Sequence, residues 1–336
     1  NSCYYYNIFK NRNNFIKLNN FRQLKFHNVH KDNIQINNNL ILNIDYNYPN
    51  LQLKLYNKNL FDLELNSTNK LFLKYNWYYF GIYNKYQYFK YIIYKNKTLF
   101  NDLYQKIDYN LTYDINKKYS LIFIDDRFDN IFENILITFL YSVDNDWNLH
   151  IYTIQENVEK YNESLKFMNI HYKITIIKKF ENVNDYSNLL KTYDFWNKIK
   201  ESHVLIFQYD SLAFKKFDYK LINLNYIGAQ WPDNIQQVKG IYNGNGGTSL
   251  RNVETMKYIT SKYNYNINDK FTPEDVYFAK YLFKENKLNN NKFLCDEFSF
   301  ENVHNDNSIY GHAIYESIEL DKIENYISNR ITKLLF

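Results

Sequence analysis

Three short segments of this chain hold residue types and spacings that could carry chemistry. Val204-Leu-Ile-Phe-Gln-Tyr-Asp210 is an apolar run closed by an acid. Read as a buried strand, it presents the Asp210 carboxylate at a sheet edge, where a hard divalent cation finds oxygen ligands. Such a cation neutralises a nucleoside diphosphate as it leaves. An Asp that only caps the next turn satisfies the same pattern. Asn243-Gly-Asn-Gly-Gly-Thr-Ser-Leu-Arg251 holds three of the chain's 7 glycines. Glycines gather where backbone takes positive φ or approaches a ligand closely, so the loop could face an anion or a sugar. It lacks the Lys-Ser/Thr ending of a P-loop and is no Gly-x-Gly-x-x-Gly fingerprint, and a plain turn is the alternative. Thr272-Pro-Glu-Asp-Val-Tyr-Phe278 puts Pro273 at a first helical position, with Glu274 and Asp275 at the positive end of the helix dipole. A carboxylate there could instead take a proton from an acceptor hydroxyl.

The elements that would position these segments are legible from Tyr119 onward. Ser120–Ile124 is a short apolar run ending in Asp125-Asp126-Arg127, and Phe132, Ile135, Leu136, Phe139, Leu140 and Val143 recur at helical spacing. Leu149–Ile154 and Tyr172–Ile177 read as strands, Val158–Phe167 and Tyr186–Ile199 as helices, and a further helix opens near Asn252. Strands alternating with helices of this length predict an α/β fold with a mostly parallel sheet. In such sheets ligands bind at the carboxyl ends of the strands. Asp125, Asp126 and Arg127, then Gln208 and Asp210, are therefore the residues to examine.

Composition sets the limits. Of 336 residues, 45% are hydrophobic, enough for a sizeable core, and the length suggests two domains. The 36 Tyr and 26 Phe, with abundant Asn, Ile and Lys, match an AT-rich codon bias, so aromatic and basic neighbours carry little information here. A net charge of +5 does not indicate nucleic acid. Residues 1–31 carry Lys10, Arg12, Lys17, Arg22, Lys25 and Lys31 without an acid, as a solvated arm would. Ile135–Val143 is the nearest approach to a membrane span and is too short. The widely separated Cys3 and Cys295 suggest reduced thiols, and with no membrane span point to the cytoplasm. The chain begins at Asn1, as an excised piece of a longer protein would.

Together and in this order, with Tyr226-Ile-Gly-Ala-Gln-Trp-Pro232 between the first two, the three segments resemble a domain-of-unknown-function family regarded as glycosyltransferase-like. The resemblance spans roughly residues 117–315. It includes Asp126-Arg127, Asp146-Trp147, Phe298-Ser-Phe-Glu301 and Gly311-His312. The glycine loop followed by Pro-Glu-Asp-Val also resembles inverting GT-A galactosyltransferases. The resemblance implies a GT-A-like Rossmann-type mixed sheet flanked by helices over residues 117–336. Residues 1–116 would form a small helical module, since residues 43–89 resemble modules found beside glycosyltransferase domains.

As function it implies transfer of a hexose from a nucleotide-diphosphate sugar, a UDP-sugar by preference, to a hydroxyl of a glycan or protein. Asp275 would be the base and Glu274 would hold acceptor hydroxyls. Asp126, Arg127, Gln208, Asp210, Trp231, Asn245, Gly246, Gly247 and Ser249 would line the nucleotide-sugar site. Asp210 and His312, rather than His304, would hold Mn²⁺ or Mg²⁺. One departure stands out: Gln208-Tyr209-Asp210 replaces the Asp-X-Asp of GT-A enzymes. It favours a rival reading, a non-catalytic glycan- or nucleotide-binding domain. A third, nucleic-acid binding by the Tyr/Lys-rich first third, would show as strong salt dependence.

Overall fold

A computed structural model describes six strands within residues 1–56 and the chain from Ile82 to Phe336, apart from 108–110, 169, 233–235 and 264–271. It divides into two units. One comprises Asn1–Lys95 with Glu319–Glu324, the other Asn96–Ile318 with Asn325–Phe336. In the first, β1 (Ser2–Tyr6), β2 (Phe15–Asn19) and β3 (Gln23–Phe26) form one antiparallel sheet. A second is built from β4 (Ile34–Ile36), β5 (Asn39–Asn43) and β6 (Gln52–Tyr56). Helix Ile82–Lys95 follows, so this unit carries strands as well as the helix expected there.

The second unit is a mixed α/β domain whose main sheet has six strands flanked by helices. β7 (Tyr119–Ile124), β8 (Trp147–Thr153), β9 (Lys173–Ile176) and β10 (His203–Phe207) run parallel, in the spatial order β9-β8-β7-β10. β11 (Ser211–Ala213) leaves for a second sheet. β12 (Tyr226–Ile227) and β13 (Ser249–Asn252) complete the first, with β13 antiparallel to β10. The residues of β8 and β10 are all buried, as strands covered on both faces must be. Helix Phe132–Ser142 is apolar nearly all round because it is enclosed. Phe139 stacks on Phe207 at 4.4 Å on one side and on Tyr310 at 5.5 Å on the other.

Two pairings determine where the site forms. Because β13 runs against β10, it begins where β10 ends: Ser249 pairs with Ile206. The glycine loop therefore emerges beside Gln208–Asp210. The second sheet joins β11, β14 (Ser299–Phe300) and β15 (Tyr310–His312), and there Ser211 pairs with His312. A residue a hundred positions downstream thus comes to the end of β10.

Local chemistry fixes the helix starts. Asn252 accepts from Thr255 N at 2.9 Å and caps Val253–Lys262. The single helix expected over Tyr186–Ile199 is two, Val183–Leu190 and Tyr193–Asn197. Thr192 caps the second through its hydroxyl, which breaks the run. Pro273 proves to be the cap of its helix, with Glu274 the first helical residue. No helix among the described residues is long and apolar enough to cross a membrane.

Candidate active site

Asp210 follows β10 and meets two residues of the β15 segment. His312 Nε2 lies 3.3 Å from its Oδ1, and the Tyr315 hydroxyl donates to its Oδ2 at 2.9 Å. The Asp210 carbonyl accepts from Ala313 N at 2.9 Å, so backbone and side chain are fixed together. Ala313 holds a left-handed backbone (φ 42°), a costly conformation for a residue with a Cβ. It lies between His312 and Tyr315 in sequence, where the chain must turn for both to reach one carboxylate.

His312 is held between acids. Its Nε2 faces Asp210 and, at 3.2 Å, Gln208 Oε1, while Nδ1 lies 3.5 Å from Glu301 Oε2. Glu301 also accepts from the Asn245 amide. Burial disfavours the imidazolium, but the Asp210 and Glu301 carboxylates outweigh it and hold the His312 pKa well above the ordinary histidine value. Burial likewise works against charge on Asp210, yet His312 and Tyr315 keep that carboxyl below its usual range.

On the other side of the glycine loop stands the acidic pair. Arg251 takes both carboxylate oxygens of Glu274, with NH1 at 2.6 Å and NH2 at 2.9 Å, and the pair is buried. Held in that fork and 4% exposed, Glu274 is turned to Arg251 and not to the surface, which counts against the acceptor-hydroxyl role expected from sequence. Asp275 is only partly buried, and its Oδ1 accepts from Val276 N at 2.7 Å. Burial and then the Glu274 charge push its pKa up to about 7. Helix-dipole reasoning alone would keep it ionised well below neutrality; desolvation wins here.

Gly246 and Gly247 separate the two groups. A Cβ on Gly247 would lie 2.0 Å from His312 Nε2. One on Gly246 would lie 2.4 Å from Glu274 Oε1 and 3.1 Å from the Asp275 Cβ. Positive φ is not the cause, since Gly240 is the only described glycine that adopts it. These positions are glycine because the protein's own side chains occupy the space. We expect Gly247→Ala to lower the melting temperature in the wild-type background and much less in a His312→Ala background, since the three nearest atoms met are His312 ring atoms. Equal losses in both backgrounds by thermal denaturation would mean the loop is constrained by something else.

The other expected residues divide. Asp125 grips Arg127 through a fork at 3.0 and 2.9 Å at the end of β7, leaving the Arg127 side chain 71% exposed. Asp126 Oδ2 accepts from Phe180 N at 2.9 Å. Tyr209 ties this turn to the end of β10: its hydroxyl accepts from Asp129 N at 2.9 Å and bonds Tyr161 at 2.8 Å. Trp231 is a core residue, 4% exposed, clustered with Val238, Ile241, Val276 and Ala279. Its ring occupies the space beside Gly244 and is not open to a nucleotide. Ser249 is also internal, donating to Gly246 O at 3.0 Å and accepting from Arg251 Nε at 2.9 Å. His304 is exposed and faces Asp306, whereas the histidine at Asp210 is His312. Arg251, Glu301 and Tyr315 complete the site without having been assigned a role from sequence. No local pattern singles them out: Arg251 stands in a four-residue strand whose first three residues are all buried, so alternation does not mark it.

Residues 169–312, less than half of the chain, match the family described as "Protein of unknown function (DUF5672)". They include Asp210, the glycine loop, the acidic pair, Glu301 and His312. No curated protein sequence matches the chain. Among solved structures, the apo-form glycosyltransferase GlyE of Streptococcus pneumoniae TIGR4 is similar at 14% identity. The alignment covers 64% of this chain and 64% of that one, with a TM-score of 0.38. A likeness that loose leaves the function to be argued from the site itself.

Proposed function

We propose that the chain is a glycosyltransferase that moves a hexose from a nucleotide-diphosphate sugar, a UDP-sugar by preference, to a hydroxyl of a glycan or protein. One observation carries this reading. Consecutive glycines pack against His312 on one side and the Glu274–Asp275 pair on the other, so a charge-accepting pole and a carboxylate base flank one short loop. Glycosyl transfer needs both: stabilisation of the departing diphosphate and a base for the attacking hydroxyl.

In the proposed step the acceptor oxygen bonds to the anomeric carbon as the bond to the diphosphate oxygen breaks. Asp275 takes the hydroxyl proton. Attack opposite the leaving group inverts the anomeric centre. The exposed Arg127 and the adjacent Asp126 would face the nucleotide, and Asn245 with the glycine backbone would face the sugars.

Asp210 and His312, with Gln208, would hold a divalent cation. Asp210 Oδ1, Gln208 Oε1 and His312 Nε2 lie within 3.2–3.3 Å contacts, and Glu301 stands behind the other ring nitrogen as an orienting carboxylate. Among the described residues no group of three or more His, Cys, Asp or Glu side chains is placed to hold a metal, so diphosphate oxygens would supply part of the shell. Mn²⁺ or Mg²⁺ would there offset the charge of the leaving diphosphate. His312 would hold the cation through Nε2 only on losing the proton there, and would otherwise face the diphosphate as an imidazolium.

Thermal-shift measurements with nucleotide sugars, with and without Mn²⁺, test the reading. A specific donor raises the melting temperature progressively with concentration, and more so with metal. If no nucleoside-diphosphate sugar shifts it under either condition, the reading fails. Gln208 in place of a second carboxylate favours one rival, a binding domain without turnover, which would show donor stabilisation but no product.

A further inference from the structure

The Arg251–Glu274 pair lies deeper than support of a loop requires. The two side chains are 0% and 5% exposed. The guanidinium carbon stands 5.1 Å from the Tyr226 ring, 5.5 Å from Phe278 and 5.9 Å from Trp196. Buried ion pairs are weak stabilisers, because desolvation offsets the attraction, and apolar residues of like volume hold a helix to a strand as well. An apolar pair could not place a fixed negative charge one residue before Asp275 with a fixed positive charge behind it.

We propose that Arg251 and Glu274 are positioning residues for Asp275: the buried fork withholds Glu274 from the acceptor and sets, through the balance of charge beside Asp275, the pH at which that carboxylate becomes available. This rests on Asp275 being the base. The groups facing Asp275 are Glu274 on its own helix, Arg251 on β13, Glu301 after β14, and the phenols of Tyr186 and Tyr226. Glu274 and Glu301 oppose its ionisation, Arg251 favours it, and the phenols are neutral at physiological pH because burial raises both. Removing either member of the fork tilts that balance in opposite directions. A unit charge about 6 Å away moves a titration by roughly two pH units at an effective dielectric of about 20.

The experiment uses the full chain in four backgrounds: wild type, Glu274→Gln, Arg251→Met, and Arg251→Met with Glu274→Met. Each is prepared with and without Asp275→Asn, and unfolding by urea is followed across the pH range. The difference within each pair isolates the titration of Asp275 from any general loss of stability. The midpoint should fall by about one to two pH units in Glu274→Gln, rise in Arg251→Met, and lie between those two in the double variant. If one single variant does not fold, the remaining single and the double must still keep that order. A midpoint that stays put, or moves the same way in both singles, overturns the proposal. Undiminished sugar transfer in Asp275→Asn would instead remove the base itself, whatever the midpoints do, and so separates the two failures.

Discussion

Asp210→Ala should abolish the metal-stimulated part of nucleoside-diphosphate binding while leaving the chain folded. The side chain carries the only acid at the end of β10, and its two oxygens serve different partners: Oδ1 faces His312 and Oδ2 accepts from Tyr315. Truncation would remove the proposed ligand and one of the two carboxylates that raise the His312 pKa. Loss of residues that merely orient metal ligands costs 10–100-fold in affinity, so loss of a ligand should cost about 100-fold or more. The main-chain bond from Ala313 N to Asp210 O survives, so the junction of the two sheets is retained. His312→Ala should act in the same direction but less, because Gln208 and Asp210 remain. His304→Ala should do little, since that ring pairs with Asp306. Calorimetric titration decides: unchanged affinity and unchanged metal stimulation in Asp210→Ala would remove it from the site.

That site was only partly legible in the chain. The apolar cores of β7 and β10, and the helix Phe132–Ser142, follow from the local pattern, because burial on both faces favours continuous apolar sequence; β8 was legible from Leu149 on, though it also buries Asn148 and His150. The second sheet is not legible that way. Its strands are two or three residues long, and the pairing of Ser211 with His312 spans about a hundred residues. No local pattern announces so short a strand. Yet that pairing brings His312 to Asp210. Their association entered only through the order of motifs in the family resemblance.

The errors have physical causes as well. Gly246 and Gly247 suggested backbone freedom or an open approach for ligand, but a missing side chain serves equally to admit one from elsewhere in the fold. Trp231 is placed at the nucleotide-sugar site by the resemblance of Tyr226–Pro232 alone; its ring fills the core instead. A helix start favours any acid, so local chemistry does not tell Glu274 from Asp275, and only the resemblance gives them separate roles. Arg251 distinguishes them, taking the first as its buried partner and leaving the second partly exposed.

That distinction has a measurable consequence at Asp275. Asp275→Asn should lower sugar transfer by about 10²–10⁴-fold, the usual contribution of general base catalysis, with donor binding unaffected. The same substitution should make the protein more stable above neutral pH. The folded pKa, about 7, lies above the ordinary 3.8, so the protonated carboxyl favours the folded state. That contribution is fully present below about pH 4 and is lost as pH rises through 7. Asn mimics the neutral form and can still accept from Val276 N, so it escapes the loss. At about 1.36 kcal/mol per pH unit, the gain above pH 7 has an upper bound of about 4 kcal/mol, and near pH 4 the two proteins should be equally stable. A group retained for packing would behave oppositely, losing stability when altered at every pH. The wild-type transfer rate should also fall on the acid side of about pH 7, as the base takes up its proton. Urea denaturation at pH 4 and pH 8, paired with transfer rates across that range, tests all three. Were Asp275→Asn less stable than wild type at pH 8, the carboxylate would be a structural anchor; were it fully active, the base would have to be sought elsewhere.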